Sequence, residues 1–352
     1  MTTTAPTTAG SATAAGLAAV RRPRRIRLLW LVLLLVVVAA ITIASIAFGS
    51  RIVSVADVLA GLSGSVDGFD HAAVAKRIPR TILALLAGAA LALSGTVMQG
   101  VTRNPIADPG ILGVNMGASL AVVVGIASFG IASATAYIWV AIIGATITAA
   151  GVYLIASLGR DGATPLKLAL AGAATAAALA SFISAVVLPR NDIADGVRSW
   201  QIGGVGGASF ESIRQVLPFL VAGLLISLVC ARGLNMLALG DELAAGLGQR
   251  VALTRAVASF GAVVLCAAAT AVCGPIAFVG LVVPHVCRLL VGPDHRWLMP
   301  FAAVTGAGLL TAADVLGRIV ARPDEIDVGI ITAIVGAPFF IAIVRGSKVR
   351  EL

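Results

Sequence analysis

The chain has 352 residues, of which 59% are hydrophobic and 12% charged, about half the charge density of an ordinary soluble protein. A mean hydropathy of +1.04 agrees. This composition excludes a secreted domain, a disordered chain and an ordinary cytosolic enzyme. The net charge of +9 acquires meaning only once the side of a membrane on which it lies is known. The chain reads as an integral membrane protein.

Residues 1–27 are rich in Thr and Ala and end in Arg21, Arg22, Arg24, Arg25 and Arg27. They read as a disordered, basic cytoplasmic tail. A run of about 20 apolar residues spans a bilayer as a helix, and ten such runs follow: 28–48, 81–99, 111–130, 136–158, 166–188, 213–231, 256–273, 276–290, 298–316 and 328–345. The third, seventh, eighth and ninth have ends that blur into Gly- and Pro-containing turns. The first run is longer than a signal-peptide core of 7–15 residues and is expected to be retained. The expected fold is all-α and polytopic, with a membrane domain over 28–345, a cytoplasmic loop at 232–255 within it, and a short cytoplasmic tail at 346–352.

Orientation follows from counting. With both termini in the cytoplasm, the inner segments hold 16 Lys and Arg and the outer segments 9. Short loops rich in Lys and Arg stay inside, so both ends are expected in the cytoplasm, in the cell (cytoplasmic) membrane. The positive charge then faces anionic lipid and cytosolic partners and is no nucleic-acid footprint. Gly113 and Gly117 form a GxxxG pair, and Gly88, Ala92 and Gly95 line one helix face. Small residues at this spacing let helices approach closely inside lipid. Cys230, Cys266, Cys273 and Cys287 lie in apolar runs without metal-ligand spacing and read as small core residues. Neither a metal nor a cofactor is expected.

The spans carry few ionisable groups: Asp314, and His285 with Arg288 near one helix end. Ion-coupled transporters place acids or histidines at mid-membrane, and one acid near an outer boundary is a thin basis for coupling. The three lysines, Lys76, Lys167 and Lys348, lie outside any G-x-x-x-x-G-K-[ST] context, so the chain lacks that route to ATP hydrolysis. A channel, a secondary transporter using Asp314, or the membrane half of a machine with a separate motor remain. A membrane-embedded enzyme would need a cluster of catalytic residues that the sequence does not display.

The segment from Arg232 to Arg250 bears on this choice. Asp241 is placed to cap a short helix, Glu242 suits its positive end, and Leu243 and Leu247 share a face. Such a helix, projecting into the cytosol, would present apolar surface to a partner; packing back on its own bundle is the alternative.

Four stretches in order resemble the permease subunits of ABC importers for iron–siderophore complexes, heme and cobalamin, a family of type II importers. They are Arg77-Ile-Pro-Arg80-Thr81 running to Ser94-Gly-Thr-Val-Met-Gln99; Arg103-Asn-Pro-Ile-Ala-Asp-Pro-Gly-Ile-Leu-Gly113; Leu239-Gly-Asp-Glu-Leu-Ala-Ala-Gly-Leu-Gly248; and Gly274-Pro-Ile-Ala-Phe-Val-Gly-Leu-Val-Val-Pro-His285, through Asp314 and Arg318, to Gly336-Ala-Pro338-Phe339.

The resemblance implies ten helices, a second permease subunit (the same or homologous), two ATPase subunits, an extracytoplasmic binding protein, and alternating access without chemistry in this chain. A ferric siderophore is the favoured cargo, with heme and cobalamin open. It implies that Gly240, Asp241, Ala245, Leu247 and Gly248 couple to the ATPase. It also implies that Arg77, Arg80 and Arg318 pair with acidic residues of the binding protein, Arg77 and Arg80 flanking Pro79 at the start of the second span. Arginines held at headgroup level are the alternative. Thr164, Pro165 and Leu166 match the family's cytoplasmic gate in position, although Pro165 and Leu166 depart from its small hydroxyl residues. His285 reads as a packed or interfacial histidine, and 192–210 as a stretch able to form a short helix and lid.

Overall fold

A computed structural model describes residues 23–51, 53–54, 56–58, 68–131, 134–158 and 164–346. The expectations for the two tails fall largely on 1–22 and 347–352, outside the described residues. The described chain is helical: α1 (Arg24–Ala47), α2 (Phe69–Thr102), a 3-10 turn (Pro109–Leu112), α3 (Val114–Phe129), α4 (Ala134–Ser157), α5 (Pro165–Val187), α6 (Asn191–Ile202), α7 (Phe210–Leu237), α8 (Asp241–Gly246), α9 (Val251–Cys273), α10 (Val279–Val291), α11 (His295–Val320) and α12 (Val328–Gly346).

Seven of these are long and apolar enough to cross a membrane, and three shorter apolar helices, Val114–Phe129, Val279–Val291 and Val328–Ala342, complete the ten expected runs. Several boundaries move: α7 runs on to Leu237 and α9 starts at Val251, both inside the loop expected over 232–255. The basic residues from Arg24 belong to the first turn of α1 rather than to a tail, and α2 begins at Phe69, so Pro79 lies inside the helix instead of at its start. Of the four blurred runs, α9 and α11 are full-length spans, whereas α10 is short. The chain ahead of α10 cannot continue as helix, because Gly274 (φ 70°) and Phe278 (φ 69°) both occupy left-handed backbone.

The core consists of α2, α9 and α11, with α10 and α7 packed against α2. Its tightest contacts are where two backbones meet without side chains between them. A Cβ on Gly88 would lie 2.2 Å from the Gly306 carbonyl oxygen of α11, and one on Gly95 would lie 1.9 Å from the Gly280 oxygen of α10. Real Cβ contacts are never so short, so the small-residue face of α2 is the seat of two neighbouring helices. Gly117 meets Gly144 and Thr148 of α4 in the same way. The four cysteines are buried free thiols, as expected of core filler. By contrast α1 and α5 lie outside the core, their apolar residues mostly exposed, whereas most of α2 is buried.

Candidate functional site

The helices bring two sets of polar residues to opposite ends of the bundle. At one end, the C-terminus of α1 carries no basic residue of its own in its last turn, so its free carbonyls need donors from elsewhere. Two arginines, Arg77 and Arg318, supply them, and a third, Arg322, holds the chain just beyond. Arg77 of α2 donates to the carbonyls of Ile46 (3.1 Å), Ala47 (2.9 Å) and Arg51 (2.7 Å). Arg318 of α11 donates to Ser45 O (2.9 Å), Phe48 O (3.2 Å) and Ser45 Oγ (2.7 Å). Arg322 reaches Gly49 O at 3.0 Å. Guanidinium groups suit the negative end of a helix dipole.

Asp314 ties these to Arg80. Its Oδ1 accepts from Arg80 Nη2 at 2.8 Å and its Oδ2 faces Arg318 Nη2 at 2.8 Å. Arg80 continues to Glu325 Oε2 at 2.5 Å, and Ser50 Oγ donates to Glu325 Oε1 at 2.8 Å. Burial pushes the Glu325 carboxyl upward, but the hydrogen bond and charge of Arg80, with the Ser50 hydroxyl, prevail and hold it below its ordinary range. Arg77 and Arg318 are 6% and 1% exposed. Carbonyls of their own chain, and for Arg318 also the Asp314 carboxylate, occupy the donors of these two side chains. Arg80 keeps 12% of its side chain exposed. Asp314, the residue on which an ion-coupled mechanism would rely, already has both oxygens engaged.

At the other end stands α8. Gly240 (φ 102°), and not Asp241, is its N-cap, and no side chain caps the helix. Asp241 occupies the first turn instead, where its charge still favours the helix dipole, and it faces Arg255 at 2.9 Å and Arg103 at 3.5 Å. Arg103 is itself the left-handed C-cap of α2, so the second and third of the stretches singled out in the sequence meet here. Ala244 is fully buried, whereas Leu239, Leu243 and Leu247 are more than half exposed. Gly246 and Gly248 have nothing of this chain near the position a Cβ would take. The helix is pinned on one side and bare on the other.

Thr164 is the N-cap of α5, its Oγ1 accepting from Lys167 N at 3.3 Å, with Pro165 in the first turn and Leu166 exposed. This is a helix start first; nothing else in the described chain marks it. The fourth stretch closes on itself: the Phe278 side chain lies where a Cβ on Gly336 would fall, and His285 packs edge-to-face on Phe339 with ring centroids 6.1 Å apart. Gln99 donates to Gly280 O at 3.2 Å and accepts from Arg288 at 2.5 Å, joining the first stretch to the fourth. The segment 191–202 is helical. Sequence reasoning missed Arg322, Glu325, Arg103 and Arg255. The lack of a basic residue at the end of α1 was the available signal for the first of these.

The FecCD transport family matches residues 24–346. The chain belongs to this family. Similar proteins include the ferric enterobactin transport system permease protein FepD of Escherichia coli (strain K12), 42% identical over 86% of this chain and 91% of that protein. The cobalamin import system permease protein BtuC of Halobacterium salinarum is 41% identical over 78% of this chain and 74% of its own. Among solved structures, a metal-chelate type ABC transporter in an inward-facing conformation superposes with a TM-score of 0.78 at 28% identity, covering 90% of this chain and 99% of that one. The chain is therefore a multi-pass membrane permease subunit.

Proposed function

We propose that this permease carries an iron chelate, a ferric siderophore in the first instance, into the cytoplasm by alternating access, driven by two separate ATPase subunits that seat on α8. The observation that carries this reading is the exposed apolar face of α8, made by Leu239, Leu243 and Leu247 beside two glycines open to approach. Six helical residues with an unburied apolar face call for a partner. The Asp241 pairs and buried Ala244 couple that knob to α2 and α9, so a push on it moves helices rather than a loop. The named cargoes of the relatives, ferric enterobactin and cobalamin, support a bulky chelate, and both termini face the cytoplasm in this arrangement.

A second permease subunit completes the path; α5, with Leu166, Leu170 and Phe182 exposed, offers it an apolar face. A binding protein delivers cargo at the arginine end. There Arg80 pairs through Nη1 with the partly exposed Glu325, and it would exchange that carboxylate for one of the binding protein, while Arg77 and Arg318 hold the platform in shape. Charges at such a rim govern association rate and register.

The test uses Leu243→Asp with Leu247→Asp. Both side chains are exposed, so insertion and folding should persist, while co-purification of the ATPase and uptake of labelled ferric siderophore in a deletion strain should fall to background. Unchanged co-purification together with unchanged uptake would refute the assignment of α8.

A further inference from the structure

Among the described residues three arginines are less than a tenth exposed: Arg27, Arg77 and Arg318. The last two are saturated by carbonyls and carboxylate. Arg27 is not. Its side chain, 8% exposed, makes no hydrogen bond or ion pair among the described residues, and its Nε is buried without a partner. Moving a guanidinium out of water without a counter-charge is strongly unfavourable. The compensation this chain supplies is one aromatic face: Arg27 Cζ lies 5.7 Å from the Trp297 ring centroid, a cation–π contact that offsets only part of the lost hydration. Asp294, which caps the helix that carries Trp297, is engaged elsewhere. Its Oδ1 accepts from Asn235 Nδ2 at 2.7 Å and from Arg296 N at 3.1 Å.

The surroundings select the missing partner. Arg27 is in the first turn of α1, where the basic stretch gives way to the apolar run, and hence at the depth of lipid headgroups. Its Nη2 points at the α10–α11 turn, 3.9 Å from where a Cβ on Gly292 would be, so the absence of a side chain at Gly292 leaves the approach open. Arg24, Arg25 and Arg296 are exposed at the same corner, and no side chain caps the N-terminus of α1. Trp297 is the residue type that settles at a membrane interface. A phosphate group fits all of this: it takes a guanidinium bidentately, favours a helix N-terminus, and is present in every phospholipid headgroup.

We propose that the corner between the first turn of α1 and the α10–α11 turn binds the phosphate of an anionic phospholipid. Arg27 is the buried donor and Trp297 its platform, while Arg24, Arg25 and Arg296 select a headgroup with net negative charge. Each surface arginine adds attraction to an anionic leaflet. A free phosphate ion shares the chemistry but lacks the acyl chains that would lie along exposed Leu28, Leu29 and Val32.

The full chain, purified in detergent, is melted with added phosphatidylglycerol, with phosphatidylcholine, and with millimolar inorganic phosphate. Phosphatidylglycerol should raise the melting temperature of the wild type by on the order of 3 °C more than phosphatidylcholine does, and inorganic phosphate should not reproduce it. In Arg27→Gln the difference between the two lipids should vanish, and in Arg27→Lys part of it should return. If Arg27→Gln does not fold, Trp297→Leu, which spares the charge, should lower the difference. The proposal is overturned by a wild type indifferent to lipid charge, by inorganic phosphate giving the same shift, or by an Arg27→Gln or Trp297→Leu protein that keeps the full lipid preference.

Discussion

The two ends of the bundle use the same ion-pair chemistry at different depths, and depth decides what each pair does. At the arginine end, Asp314 is fully buried and bonded to two guanidinium groups. Such a pair gains strongly from mutual attraction but has surrendered hydration, so its net contribution is small while its rupture is severe. At the α8 end, Asp241 and Arg103 are each 42% exposed. Water already serves both, and pairs of this kind contribute about 0.2–1 kcal/mol. One end is therefore locked, with α1, α2, α11 and the 322–327 turn held as one piece. The other is a projection whose own contacts are weak and whose apolar face is open.

The sharpest break of this contrast is Asp314→Ala. It strands Arg80 and Arg318 without their shared carboxylate and should cost about 3–5 kcal/mol, as expected for one partner removed from a buried pair. Thermal unfolding in detergent reads this directly. Arg77→Met should come next, at about 1–3 kcal/mol, because the carbonyls of Ile46, Ala47 and Arg51 lose their donor. Its effect is the smaller of the two because it also relieves repulsion from Arg318, Arg322 and Arg80.

Glu325 gives the lock a pH dependence. Its carboxyl titrates below its ordinary 4.5 in the folded chain, so the unfolded chain binds the proton more readily. The stabilisation is then fully present above about pH 4.5 and is lost as pH falls through the lower, folded value. Unfolding followed between pH 7 and pH 3.5 should show this acid-side loss, and Glu325→Gln should flatten it. An unchanged slope in that variant would place the acid sensitivity elsewhere.

Ten apolar runs were legible in the sequence because lipid demands continuous hydrophobicity, and the glycines of α2 were legible because close approach demands an absent side chain. The partners of the arginines were not. Arg77 and Arg318 carry the same residue pattern whether they point to a binding protein, to headgroups or to the end of α1. What decides is that α1 ends beside them with its carbonyls free, a fact of tertiary placement. Asp241 misled in a related way: an acid before an apolar pair fits an N-cap, but the positive φ of Gly240 moved the cap one residue earlier and released the carboxylate to Arg255 and Arg103. The start of α2 at Phe69 was hidden because Asp70, His71, Lys76, Arg77 and Arg80 interrupt the apolar pattern although the backbone continues as helix.

The smallest expected change in stability belongs to Asp241→Asn, and it separates anchoring from folding. The substitution keeps the size of the side chain and removes only the charge facing Arg255 and Arg103, so unfolding should shift by no more than about 1 kcal/mol. If α8 transmits force through those pairs, transport and nucleotide hydrolysis should nevertheless become uncoupled: the ATPase still binds the leucine face, hydrolysis continues, and uptake per nucleotide falls. Combining Asp241→Asn with Arg255→Gln should then add little to the loss, since both remove the same tether. Additive losses would instead assign the two residues to separate roles, with Asp241 acting through Arg103 and the end of α2.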